Sequence, residues 1–319
     1  MGTGASFATF DEAAEAVLGW LRRQAAERAW LLARRHGDEW HVLTAADSCD
    51  GLRPGHVLVW DEPVRAMLAA STGPRVFRPP AGVAGRVVRP RQRPLTLNDL
   101  LVSPLIVPRT PLSAALIGVG RGPAADGAGP DRETLAMLSG LLGGLLQREL
   151  ESADAARHNE RFGHETMTDA LTHLPDRAAW EEKLAAEQQR SRRLGEMSFV
   201  TVITVTAPGE GDPEEDDPDD SAMLRRAALT LRYAVRDQDF VARTGAHGFA
   251  VLGMQCGAID EQHISARIRA ALHKSGVSAR VGTVASDPVH GHADIWHRAQ
   301  RAMQRGGSNR ANRDPRGSH

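Results

Sequence analysis

The chain has 319 residues, enough for two ordinary domains, with 41% hydrophobic and 25% charged residues in globular proportion. A net charge of −1 supplies no field to draw the whole molecule to nucleic acid or a membrane surface, and its two cysteines, Cys49 and Cys256, lack the spacing of a disulfide framework or zinc site. Apolar runs such as Ala114–Val119 are too short to span a bilayer, and the N-terminus has neither a charged start nor an apolar core. The expectation is a cytoplasmic protein with reduced thiols, no signal peptide, and no nucleic-acid or membrane partner.

In chain order, Ala14, Val17, Leu18, Leu21, Ala25 and Ala29 recur at helical spacing and predict one amphipathic helix over residues 11–35. β-like runs follow at Trp40–Thr44, His56–Trp60, Leu105–Val107 and Ala114–Val119, with a short helix over Glu62–Ala70. The Pro-, Gly- and Arg-rich stretch 75–101 reads as irregular. Beyond the turn-rich residues 122–130, Asp131 is the expected N-cap of a helix running to about Met167. Its Leu135, Leu138, Leu142 and Leu145 step by three and four, as in a helix that packs along one seam. The first half reads as packed on its own domain and the polar half, Glu149–Glu165, as a linker pairing with a second copy in a parallel homodimer. The order of Pro104–Val107, Ala115–Val119 and the closing helix resembles a GAF domain, covering about residues 11–150. GAF domains often bind small molecules, but the chain carries no haem, bilin or metal motif, so no cofactor is expected.

The second half reads as helix Arg177–Leu194, strand Ser198–Val205, helix Ser221–Val235, hairpin Phe240–Leu252, helix Glu261–His273, strand Ala279–Ala285 and helix Ala293–Arg305. Three markers stand in it. Asp169-Ala-Leu-Thr-His-Leu-Pro-Asp176-Arg177 resembles the Asp-x-Leu-Thr-x-Leu-x-Asn-Arg opening of GGDEF domains, the diguanylate cyclase family. The hairpin turn Gly245-Ala246-His247-Gly248-Phe249 resembles the signature Gly-Gly-Asp-Glu-Phe. Gly307-Ser308-Asn309-Arg310 resembles its closing Gly-Arg-Asn-Arg. The resemblance spans about residues 169–310 and implies a mixed α/β (α+β) architecture, with a mainly antiparallel sheet covered by helices, as in nucleotide cyclases. The expected division is a GAF-like domain at 11–150, a linker helix at 151–168, a degenerate GGDEF domain at 169–310 and a disordered tail at 311–319.

The resemblance also identifies what is missing. A cyclase needs acidic oxygen ligands for the hard cations that neutralise a triphosphate. The family draws them from its first strand, here aligned with Thr204 and Thr206, and from the hairpin, here His247 and Gly248. An acidic, proline-punctuated run, Gly209–Asp220, replaces the base-reading residues, and a phosphate-contacting lysine is expected near Gln304 or Arg305. The acidic run reads as a solvated loop and His247 as an exposed turn residue without a partner. The expectation is therefore no catalytic residue, no metal and no enzyme. What is kept is Arg236-Asp-Gln-Asp239, an Arg-x-x-Asp five residues before the turn. In GGDEF domains this is the inhibitory site for cyclic di-GMP. Arg236 would fork onto guanine or phosphate and Asp239 would accept from guanine N1 and N2. The same two residues also read as a helix end entering a hairpin. Three functions stay open: a cyclic di-GMP receptor acting on an unidentified protein partner, a ligand-independent dimeric scaffold, and a residual cyclase.

Overall fold

A computed structural model describes residues 7–46, 51–70, 72–78, 83–89, 92–96, 98–107, 113–120, 130–160, 167–206, 218–255, 261–286 and 292–311. Cys49, Cys256, the turn 122–129, most of the acidic run and residues 312–319 of the tail lie outside them, while Ala311 ends a helix. The architecture is mixed α and β, with two antiparallel sheets in two compact units. The first comprises Met1–Asp154 and Arg192–Gly195, the second Ala155–Ser191 and Glu196–His319.

In the first unit the elements are α1 (Phe10–Gln24), β1 (Arg28–His36), β2 (Glu39–Ala46), β3 (Val57–Trp60), α2 (Glu62–Ala70), β4 (Arg75–Phe77), β5 (Val83–Arg89), β6 (Arg93–Thr96), β7 (Asp99–Leu105), β8 (Ser113–Gly120) and α3 (Arg132–Glu160), which runs on past the unit's boundary. The eight strands form one sheet in the order β4-β7-β8-β1-β2-β3-β5-β6. The single helix expected over 11–35 is a helix and a strand. Thr9 caps α1, accepting from the Glu12 N–H, and the helix stops at Ala25. β1 then occupies the middle of the sheet and is buried on both faces: Trp30 and Leu32 meet α1 and α3, while Leu31 and Ala33 meet the opposite core. A strand buried on both sides shows no alternation, so helical spacing ran through it unchallenged. The irregular stretch 75–101 is likewise four strands or parts of strands, short and interrupted by glycine and proline. Asp131 caps α3 as expected, accepting from the Thr134 N–H at 2.8 Å. Leu135, Leu142 and Leu146 of α3 are fully buried in this unit's own core, and Met137 and Leu141 are left exposed.

The second unit contains α4 (Arg177–Leu194), β9 (Met197–Thr206), α5 (Pro218–Ala234), β10 (Phe240–Arg243), β11 (Gly248–Gln255), α6 (Glu261–Lys274), β12 (Ser278–Ser286) and α7 (His292–Ala311). Its sheet runs β10-β11-β9-β12, wholly antiparallel. Here alternation is clean. Ile203, Val205, Phe249, Val251 and Val281 face α5 and α6, while Val200, Val202, Ala250, Leu252 and Val284 face α4 and α7. Each strand therefore feeds two cores, and the side-chain period of two assigns every second residue to each. At Gly282 the backbone of α7 comes so close that a β-carbon would lie 2.7 Å from Met303 Cα and 2.5 Å from the Ala299 carbonyl oxygen.

Candidate functional site

The opening motif of the second unit folds on itself before α4 begins. The Asp169 N–H donates to the Leu174 carbonyl at 2.8 Å, and the Asp176 N–H to that of Met167 at 2.9 Å. The Asp169 carboxylate accepts from the Thr172 N–H (2.8 Å) and hydroxyl (2.7 Å). His173 sits at φ +55°, a left-handed position that histidine tolerates better than most side chains. Asp176, which stands where the family has asparagine, accepts from the Ala179 N–H at 2.9 Å and caps α4. Aspartate and asparagine cap equally well, so the exchange keeps the local fold.

Arg243, the last residue of β10, ties this loop to the hairpin. One guanidinium nitrogen meets both Asp169 oxygens at 3.0 and 2.9 Å, another reaches the Ala246 carbonyl at 2.8 Å, and the Arg243 N–H donates to Pro175. Burial pushes the Asp169 carboxyl up, but the hydrogen bonds from Thr172 and Arg243 together outweigh it and hold it below the usual carboxylate range. The turn itself closes with the Thr244 N–H donating to Gly248 at 2.8 Å. Gly248 pairs with Thr204 of β9, and Thr204 with Arg280 of β12.

The positions aligned with the family's metal ligands thus meet across adjacent strands. The Thr204 hydroxyl donates to the Met303 sulfur at 3.3 Å, Gly248 offers no side chain, and Thr206 donates to the Ser278 carbonyl. Among the described residues, these donors do not build the oxygen cage that a hard divalent cation requires. His247 departs from expectation. Its Nε2 lies 2.6 Å from the Asp220 Oδ2, with both side chains largely buried (26% and 17% exposed). The end of the acidic run is therefore folded against the hairpin as the third residue of α5. Sequence reasoning missed this pair because 27 residues separate its members, and the signal available was only that α5 begins where the acids end.

The Arg236-Asp-Gln-Asp239 motif lies in the bend between α5 and β10. Asp239 is 2% exposed, and its Oδ2 accepts from the Arg236 N–H at 2.9 Å, while the Arg236 carbonyl accepts from the Asp239 N–H at 3.0 Å. The Arg236 side chain is exposed and forms no ion pair among the described residues. The two residues are together, one as a buried anchor and the other as a free guanidinium on an anchored backbone. Gln304 and Arg305, between which the resemblance leaves the place of a lysine open, are both exposed on α7, and Arg305 donates to the Arg301 carbonyl.

No model of a known protein family matches the chain. Over 190 residues, 56% of the chain, the sequence is 28% identical to the diguanylate cyclase DgcP of Pseudomonas aeruginosa, and the match spans 28% of that protein's length. The chain is thus similar, over part of its length, to a diguanylate cyclase. Among solved structures, the coiled coil and GGDEF domain of DgcB from Caulobacter crescentus, in complex with c-di-GMP, is similar at a TM-score of 0.41 and 18% identity, covering 54% of this chain and 96% of that one. The diguanylate cyclase SiaD of Pseudomonas aeruginosa, with its activator SiaC, is similar at 0.39 and 21%, covering 56% and 75%. The match to a named diguanylate cyclase overturns the expectation that the chain is no enzyme. That expectation rested on residue types read along the chain at the metal-ligand, base-reading and phosphate-contacting positions, and the fold brings an acid from the replaced run, Asp220, against one of them, His247. No helix among the described residues is long and apolar enough to cross a membrane.

Proposed function

We propose that the chain is a cyclic di-GMP signalling protein whose C-terminal unit binds the dinucleotide through Arg236, with Asp239, buried and bonded to the Arg236 N–H, holding that arginine in place instead of accepting from guanine. The carrying observation is the bend at 236–239, whose last residue is separated by five from the hairpin turn: an exposed arginine whose backbone is held by a buried carboxylate. A guanidinium on a fixed backbone can fork onto a guanine edge or a phosphate at little entropic cost. Asp239 fixes the point from which Arg236 reaches. Around this site we assign a GAF-like domain to residues 11–150, a linker helix to 151–168 and the GGDEF domain to 169–310. The protein acts as a cytoplasmic homodimer that passes ligand occupancy to a protein partner.

Calorimetric titration of the full chain with cyclic di-GMP tests this, beside Arg236→Ala and a GTP control. Saturable binding by the wild type and its loss in Arg236→Ala support the reading. Absence of heat and of any thermal shift at high ligand overturns it and leaves a ligand-independent scaffold. A second reading, conversion of GTP to cyclic di-GMP, is favoured by the sequence match to a diguanylate cyclase. Chromatography of the products after incubation with GTP and magnesium or manganese decides it, since a cyclase must release pyrophosphate and form the dinucleotide.

A further inference from the structure

The face of α5 that turns away from the core is unusual in composition. Met223, Leu224, Ala227, Ala228 and Leu231 are buried. Opposite them stand Leu229, 58% exposed, and Tyr233, 81% exposed and the one tyrosine of the chain. Arg236 follows three residues later, and Arg226 and Arg232 flank the pair. Positions 229, 233 and 236 are spaced by four and three, so they line one side of the helix and its last turn, which the Val235 N–H extends by donating to Leu231. At roughly 1.5 Å per residue, the run from Leu229 to Arg236 is about 10 Å long.

Arginines near a helix C-terminus are favoured by the dipole whatever they bind, so the cations alone say little. Tyr233 gains nothing from the dipole. Its ring has no aromatic, cation or hydrogen-bond partner among the described residues, and neither Arg226, Arg232 nor Arg236 has an acidic one through its side chain. An unstacked aromatic ring with exposed arginines beside it in sequence at 232 and 236 matches a ligand that joins a flat base to phosphates. The patch is the length of a dinucleotide and much shorter than a nucleic-acid tract or a membrane-binding face.

We propose that Tyr233 is a stacking platform for one guanine of cyclic di-GMP, with Arg232 and Arg236 placed on its phosphates. This rests on the reading of Arg236 given above and adds the contact that an arginine alone lacks. Base–aromatic stacking is strong enough that removing the ring should weaken binding roughly tenfold or more.

The test is titration of cyclic di-GMP into the full-length wild type, Tyr233→Ala, Tyr233→Phe and Arg236→Ala. A second readout uses 3-fluorotyrosine, which gives a single fluorine resonance because the chain has one tyrosine. The expected result is a tenfold or larger loss in Tyr233→Ala, near-wild-type affinity in Tyr233→Phe, and a fluorine shift that saturates with the ligand. Wild-type affinity in Tyr233→Ala, with binding still lost in Arg236→Ala, overturns the stacking role and leaves the Arg236 reading standing. An unmoved fluorine resonance at saturation does the same. Absence of binding by the wild type overturns both.

Discussion

Replacing Asp169 by alanine should loosen the joint between the opening loop and the hairpin, and the structure sets the size of the effect. The carboxylate accepts from the Thr172 N–H and hydroxyl and from one Arg243 nitrogen at both oxygens. Hydrogen bonds to a charged group contribute about 1.5–3 kcal/mol each when buried. These side chains are 22% and 16% exposed, and bonds sharing one acceptor do not add, so we expect a total loss of about 2–3 kcal/mol. For a unit of this size that corresponds to a fall of roughly 5–10 °C in the melting of the second unit, read by scanning calorimetry. Arg243→Ala should cost a similar amount, and the double variant less than the sum, since both remove one contact. The carboxyl is held below its usual range, so its stabilisation is present above about pH 4 and is lost as pH falls through the folded value. Additive losses in the double variant, or melting within 1 °C of wild type in Asp169→Ala, would refute the reasoning.

Arg157 is 5% exposed between Glu187 and Glu196. Arg157→Ala would take the shared cation from two buried carboxylates, leaving Glu187 only Arg190 at 3.3 Å, and should cost about 3–5 kcal/mol by urea denaturation, whereas loss of a surface pair would cost under about 1 kcal/mol. Gly282→Ala should lower stability by about 1–3 kcal/mol or more, because the obstructing atoms belong to the α7 backbone and cannot rotate aside. A variant as stable as wild type would mean that the helix stands off the sheet. In the first unit His36 is buried, its Nε2 lies 2.6 Å from the Gly195 carbonyl, and it stacks edge-on with His41. Burial above all, then the neighbouring Arg34 and His41, lowers its pKa to about 3. The unfolded chain takes up a proton there from about pH 6.5 downward and the folded one does not, so stability should fall by about 1.4 kcal/mol per pH unit between those values. Urea midpoints measured at pH 7 and pH 5 check this, and an unchanged slope in His36→Gln would remove the assignment.

In the second unit, most of what matters was legible from residue order. Two-sided strands with clean alternation, caps at the ends of helices, and three motifs in sequence predict β9, β10, β11 and β12 to within a few residues, because in a four-stranded sheet covered on both faces each local pattern reports a local environment. The first unit was harder. β1 is central and buried on both sides, so its apolar run carries no period by which to tell it from the helix before it, and two of the short strands between residues 75 and 101 are set by distant partners, β4 by β7 and β5 by β3.

The site divides in the same way. By itself the sequence determined which residue types stand in the turn and at Thr204 and Thr206, and that Arg236-Asp-Gln-Asp239 precedes the turn by five residues. Only the tertiary structure decided that Asp220 closes onto His247, that Asp169 is clamped by Arg243 from 74 residues away, and that Asp239 is a buried anchor while Arg236 and Tyr233 face outward. Those outcomes depend on which side chains lose water when helices dock on a sheet. Burial of that kind is a property of surfaces brought together across the chain, and no window of neighbouring residues contains it.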